Sequence, residues 1–196
     1  MKVILFGATG TVGRGVLGEC LRDDRVTAVL TVGPVPPGAA HAKLREIVHA
    51  DLLDLAAIEA GLRGHDAGFV CAEGPRHADV ALAAGEALAR VSPGSAFVYV
   101  STGAGPAGAA EDTLLALPLR SYVFRPGHVR RPSDGVTSPA GFHRLAYIVV
   151  RPLHPVLRRV FPATATTPER IGRAMITVAE RGASRRVLGP ADINAL

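Results

Sequence analysis

Glu73, Ser101, Thr102 and His128 are the residues of this 196-residue chain whose types and positions suit acid–base chemistry. They follow short apolar runs, and apolar runs of that length read as buried strands. Side chains just past the carboxyl ends of parallel strands face the crevice where open α/β sheets hold ligands. A carboxylate and an imidazole that share one cavity supply a general acid and a general base, and hydroxyls orient what they act on. Glu73 also has a plainer use, an ion pair with Arg76 or Arg125. His128 has one as a histidine of a surface loop. His77 lies just beyond Glu73, whereas His41, His49, His65, His143 and His154 have no motif around them. The sequence holds no HExxH and no GxSxG, and Cys20 and Cys71 lack metal-ligand company. Neither a metal centre nor a nucleophile elbow is expected.

A second group of residues suits anion binding. Gly7-Ala8-Thr9-Gly10-Thr11-Val12-Gly13 stands between an apolar run and a helical pattern. Glycines at that spacing allow a tight turn, close backbone approach to a pyrophosphate and close packing of helix on strand. The helix N-terminus then offers free N–H groups and positive potential. The position, in the first strand–turn–helix unit, gives the motif its weight.

These residues need a scaffold of alternating strands and helices. Strands are predicted at Val3–Phe6, Val29–Val32, Ile47–His49, Gly68–Ala72, Ala96–Ser101 and Tyr122–Phe124. Helices are predicted at Thr11–Leu21, Leu53–Leu62, Asp79–Val91 and Glu111–Leu117. Gly33-Pro34-Val35-Pro36-Pro37-Gly38 fits neither helix nor ladder. The alternation implies a Rossmann-like doubly wound parallel sheet of six to seven strands, with a small helical C-terminal part. The chain reads as one domain, with residues 1–127 as the α/β core and 128–196 as the substrate side. In that second part, Arg130–Gly141 reads as a loop and Leu145–Phe161 as a helix over the sheet. Thr167 as N-cap, Pro168 at the first helical position and Glu169 in the first turn open a helix that Gly182 ends.

Composition narrows the classes. The chain is 48% hydrophobic and 20% charged, which excludes a disordered polymer. No apolar run is long enough to span a bilayer, and a soluble cytoplasmic protein is expected. Arginine outnumbers lysine 20 to 2, the usage of a GC-rich bacterial genome. Residues 1–119 carry a net charge of −4 and residues 120–196 one of +9. An arginine-rich solvated surface accounts for this, and aromatics at 5% do not suit nucleic-acid binding.

The GxxGxxG spacing, the Asp51-Leu52 pair and Arg125-Pro126-Gly127 resemble atypical or extended short-chain dehydrogenases/reductases. The resemblance is to the small NAD(P)-binding epimerase/dehydratase-like group, and Thr167–Val178 and Asp192–Leu196 extend it over most of the chain. It implies that Gly7, Gly10 and Gly13 line a pyrophosphate, with Thr9, Thr11 and Val12 beside it. It implies that Asp51 and Leu52 flank an adenine, although Asp51 also suits a strand-end cap. Ser101 matches the family's catalytic serine by position, and would hydrogen-bond a substrate carbonyl.

The departures are as informative. Redox members carry a tyrosine and a lysine four residues apart on one helix face. Here Tyr99 is followed by Gly103, Tyr122 by Pro126 and Tyr147 by Arg151 at that spacing. Lys2 and Lys43 cannot substitute. The segment Gly103–Glu111 is short for the family, as if by deletion. Gly33 and Pro34 stand where relatives read the adenosine ribose, and Glu73 is repulsive beside a pyrophosphate unless paired. These features favour a redox-neutral cyclase, dehydratase or isomerase, of the kind found in secondary metabolism. Its substrate would be a small molecule, apolar or polyketide-like. An NAD- or NADP-dependent reductase or epimerase with an unusual proton donor is the alternative. A non-enzymatic dinucleotide-sensing or protein-binding module, with the basic C-terminal part as its interface, is a further alternative, and a homodimer is a possible assembly.

Overall fold

The computed structural model of the protein describes residues 1–101, 107–129 and 165–196. Strand β1 (Lys2–Phe6) is central, with Val3, Ile4, Leu5 and Phe6 fully buried. It pairs in parallel with β2 (Ala28–Gly33) on one side, and β2 pairs with β3 (Leu44–Val48). On its other side it pairs with β4 (Ala67–Val70), followed by β5 (Ala96–Val100) and β6 (Arg120–Phe124). A separate parallel ribbon joins β7 (His128–Val129) to β8 (Ala165–Thr166). The last strand, β9 (Val187–Leu188), returns to the main sheet beside β6. The seven-stranded order is β3-β2-β1-β4-β5-β6-β9, parallel throughout. The chain winds outward in both directions from β1 and β4, and the switch point between them opens a crevice at the strand carboxyl ends.

Alternation along the strands divides the core into two layers. Val3, Leu5, Val98 and Phe124 face α1 (Thr11–Arg22) and the C-terminal helix Pro168–Arg181, through Val16, Cys20, Ile171 and Met175. Ile4, Phe6, Phe97 and Tyr99 face α2 (His77–Val91), α3 (Ala107–Ala116) and a 3-10 helix at Ala56–Leu62. A sheet covered on both faces explains the continuous apolar runs.

The C-terminal helix, α4 (Pro168–Arg181), has the predicted ends. The Thr167 hydroxyl accepts from the Arg170 amide at 3.3 Å, and Gly182 closes the helix at φ +79°. Helices α1 and α4 meet at glycines. A Cβ on Gly15 would lie 2.3 Å from the Pro168 Cβ, and one on Gly172 would lie 3.0 Å from the Val16 Cα. A final short helix, α5 (Pro190–Ala195), starts where the Gly189 amide donates to Asp192 at 2.9 Å.

Several boundaries differ from the sequence expectation. The helix predicted at Leu53–Leu62 is the 3-10 helix Ala56–Leu62. Its first residues form turns instead, because Asp51 and Asp54 each accept a backbone N–H two residues on, at 3.0 Å. Helix α2 begins at His77 rather than Asp79, and α3 at Ala107 rather than Glu111. The third strand is Leu44–Val48 rather than Ile47–His49, in register with Val29–Gly33. The predicted loop Arg130–Gly141 and helix Leu145–Phe161 lie outside the described residues. No helix among the described residues is long and apolar enough to cross a membrane.

Candidate functional site

The glycine turn closes β1 onto α1, as its spacing predicts. Gly7 adopts φ +80°, and a Cβ there would lie 2.6 Å from the Cys71 carbonyl oxygen. A Cβ on Gly13 would lie 1.9 Å from the Gly7 carbonyl oxygen. Gly10 is the N-cap of α1 and supplies no side-chain acceptor. The first amides of α1 therefore form an anion cradle.

That cradle is filled from within the chain. The Glu73 carboxylate reaches across from the end of β4, and its Oε1 accepts from the Thr11 amide at 2.7 Å and, weakly, from the Val12 amide at 3.4 Å. A Cβ on Gly10 would lie 2.9 Å from the Glu73 carboxyl carbon, so the glycine lets the carboxylate approach. The ion pair expected between Glu73 and Arg76 or Arg125 is not formed among the described residues. Arg76 pairs with Asp79 at 3.5 Å, and Arg125 pairs with Glu111. The helix amides supply the pairing instead.

On one side of the cradle a shallow groove of about 30 Å³ runs over β2 and β3. Gly7, Thr9, Gly33, Pro34, Glu46 and Leu52 are among its walls. Leu52, which the family resemblance sets beside an adenine, is one of these walls. Asp51 does not line the groove, and its carboxylate accepts from the Leu53 amide at 3.0 Å, which makes it the strand-end cap.

On the other side a cleft of about 230 Å³ opens between the ends of β4, β5 and β6. Glu73 and Ser101 both line it, so the fold brings these two predicted residues together. Val12, Val100, Pro126 and Val129 give it apolar walls. Thr102 lies outside the described residues, as does the side chain of His128; the backbone of His128 is in β7. Cys71 also borders the cleft, while its side chain belongs to the core; burial, then the charges of Cys20 and Glu73, push its thiol pKa upward.

Behind Ser101 lies a polar network that the sequence reading missed. The Ser101 hydroxyl donates to Glu111 Oε1 at 2.5 Å. Glu111 projects from α3 with its side chain only 3% exposed. Arg125, at the end of β6, pairs with Glu111 Oε2 through Nη2 and donates from Nε to Oε1 at 3.4 Å. The pKa of Arg125 is raised, first by its hydrogen bond to Glu111 and then by the charge of Glu111. Tyr99 is buried below, its ring stacked on His77 with centroids 6.1 Å apart. Burial pushes the Tyr99 hydroxyl up to about 12, opposed by Ser101 and helped by the Glu111 charge. One signal in the sequence points to this network. Glu111 falls beside Ala110 and three residues before Leu114, on the buried stripe of α3, where a carboxylate is out of place. Among the described residues, no group of three His, Cys, Asp or Glu side chains is arranged to hold a metal ion.

No family model matches the chain, and no curated protein matches it. Solved structures do. A Rossmann-fold NAD(P)-binding family protein from Shigella flexneri superposes with a TM-score of 0.68 at 16% identity, over 96% of this chain and 91% of that one. A short-chain dehydrogenase family protein from Francisella tularensis gives 0.58 at 15%, over 100% and 99%. A UDP-glucose 4-epimerase from Thermotoga maritima gives 0.64 at 16%, over 96% and 76%. At these identities the likeness is one of architecture. The chain has the Rossmann-like α/β fold found in NAD(P)-binding short-chain dehydrogenases and epimerases.

Proposed function

We propose that the protein is a redox-neutral enzyme, a cyclase, dehydratase or isomerase, that acts by proton transfer on a small apolar substrate in the 230 Å³ cleft. The observation that carries this reading is the seat of Glu73. Its carboxylate holds the α1 amides that a dinucleotide phosphate would need. The residues present do not fit a resident dinucleotide. The glycine turn permits the approach, but the donors are taken by a negative charge, and Gly33 and Pro34 offer the ribose no side-chain partner.

The disposition of tyrosines and lysines agrees. Tyr99 is packed in the core against His77, and the Tyr122 hydroxyl lies toward Gly182, 3.1 Å from where its Cβ would be. Lys2 begins β1 at the far end of the sheet, and the Lys43 ammonium donates to the Asp23 carbonyl at 2.9 Å. Among the described residues, none of these lines the cleft. Its volume is below the ~300 Å³ at which sites begin to take drug-sized ligands.

Calorimetric titration with NADH and NADPH tests the reading, with mass spectrometry of the purified protein for retained nucleotide. No binding at micromolar concentration is expected. Micromolar binding would instead support a reductase with an unusual proton donor, the reading that the preformed Gly7 turn and the Leu52 groove favour.

A further inference from the structure

We infer that the cleft takes a protonated primary or secondary amine, with Glu73 as its counter-ion and the apolar walls around its hydrocarbon body. The inference rests on the redox-neutral reading for the site, and it narrows the small apolar substrate to one that carries a positive charge.

Two cavities meet at Glu73. The residue borders the 230 Å³ cleft, and it borders a second cavity of about 200 Å³ that shares Val12 and Val129 with the first. The carboxylate itself is placed there, as well as the residue. Its Oε1 accepts from the Thr11 amide and, weakly, from the Val12 amide, and both of those residues line the second cavity. Glu73 is exposed, so a ligand can reach it. Its Oε2 has no hydrogen-bond or ion-pair partner among the described residues.

The walls set the sign of the ligand. Glu73 is the one charged residue among the described residues that line either cavity. The arginines that follow these strand ends are engaged elsewhere, Arg76 with Asp79 and Arg125 with Glu111. The helix amides meet one carboxylate oxygen, and they carry partial rather than full charge. The site therefore presents a negative point on an apolar surface. An anionic ligand is repelled there. A neutral one strips water from the carboxylate and returns little in exchange. An ammonium group replaces that water with a charge-assisted hydrogen bond to Oε2. The lining also selects among cations. A quaternary ammonium has no N–H to donate and is recognised by aromatic faces, and no aromatic side chain is among the described residues of either cavity.

A capping role alone accounts for less. A serine or aspartate at position 10 would cap α1 locally. Gly10 instead leaves room for a carboxylate from the end of β4, which sets a full charge on the cavity wall. Capping uses one oxygen, and a glutamine would supply it. The amine reads the charge, so one substitution separates the two roles.

Three ligands with the same ring test the inference: benzylamine, which is a cation at neutral pH, benzyl alcohol and benzoate. Each is titrated at neutral pH into isotope-labelled protein, and the backbone amide resonances are followed. Benzylammonium should bind about tenfold more tightly than benzyl alcohol, as expected of one hydrogen bond to a charged group, and should shift the Thr11 and Val12 amides. Benzoate should bind that site most weakly, although the formal net charge of +5 favours an anion over the rest of the surface. Glu73→Gln should bring benzylammonium and benzyl alcohol within twofold of each other. The inference is overturned if wild type binds benzyl alcohol or benzoate as tightly as benzylammonium, or if the shifts fall away from Thr11 and Val12. Retention of the tenfold preference in Glu73→Gln, or no binding of benzylammonium at millimolar concentration, overturns it equally. Should Glu73→Gln fail to fold, the wild-type affinities and shifts decide. Failure of the redox-neutral reading shows separately, as nucleotide binding in the titration above.

Discussion

Replacing Glu73 by alanine should weaken the fold slightly and open the anion cradle to dinucleotide. The substitution removes the acceptor of the Thr11 amide at 2.7 Å and the weaker contact to Val12 at 3.4 Å. Loss of a capping acceptor costs about 1 kcal/mol, and Glu73 acts as the cap that Gly10 cannot provide. In a chain of this size that lowers Tm by about 2–4 °C. The same term enters binding with the opposite sign. In wild type an incoming phosphate must displace the carboxylate and then tolerate it nearby. Displacement costs about 1 kcal/mol, and repulsion of unit charges at 4 Å in water adds about 1 kcal/mol more. Together they amount to roughly a thirtyfold difference in Kd. Calorimetry with NADH on wild type, Glu73→Gln and Glu73→Ala reads it directly. Affinity should rise in that order, since glutamine keeps an acceptor but loses the charge. Equal affinity in all three would refute the idea that Glu73 competes with phosphate.

Two further outcomes are expected. Gly15→Ala would place a methyl group 2.3 Å from the Pro168 Cβ, and overpacking of this kind costs about 1–3 kcal/mol. Thermal melts should show a fall of several degrees, and an unchanged Tm would contradict the close approach of α1 and α4. Stability should also decline in alkali. Burial raises the Cys20 thiol from 9.0 to about 12 and the Tyr99 hydroxyl from 10.0 to about 12, and Cys71 moves the same way. The unfolded chain therefore loses these protons first, so the contribution is full below pH 9.0 and is lost as pH rises toward about 12. Each group adds a slope of about 1.4 kcal/mol per pH unit. Urea midpoints measured across that range should fall, and a flat series would contradict the assignment.

The sheet was legible because it is covered on both faces. Runs such as Val3–Phe6 and Ala96–Val100 carry their burial in composition alone, and the glycine turn marks the joint between β1 and α1. Helix α4 was legible in more detail, since Thr167, Pro168 and Gly182 each act locally. The 3-10 helix at Ala56–Leu62 was not, because Asp51 and Asp54 draw the preceding amides into turns. The site divides in the same way. That Glu73 and Ser101 border one cleft follows from strand ends, which the sequence marks. The partners of these residues do not follow. Glu73 meets amides 62 and 61 positions away, and Ser101 meets a carboxylate ten positions on whose helix starts earlier than predicted. Such pairings depend on how elements cross, and spacing along one element does not encode that.

The glycine turn has a bearing on how such chains diverge. Gly7 and Gly13 have no room for a side chain because of the Cys71 and Gly7 carbonyls, which are parts of the chain itself. Substitution at either position is opposed by packing whether or not anything binds. The glycines are required by the architecture itself. A glycine fingerprint of this kind thus marks a joint between strand and helix. The residue facing it, here Glu73, decides which acceptor the first amides of the helix meet.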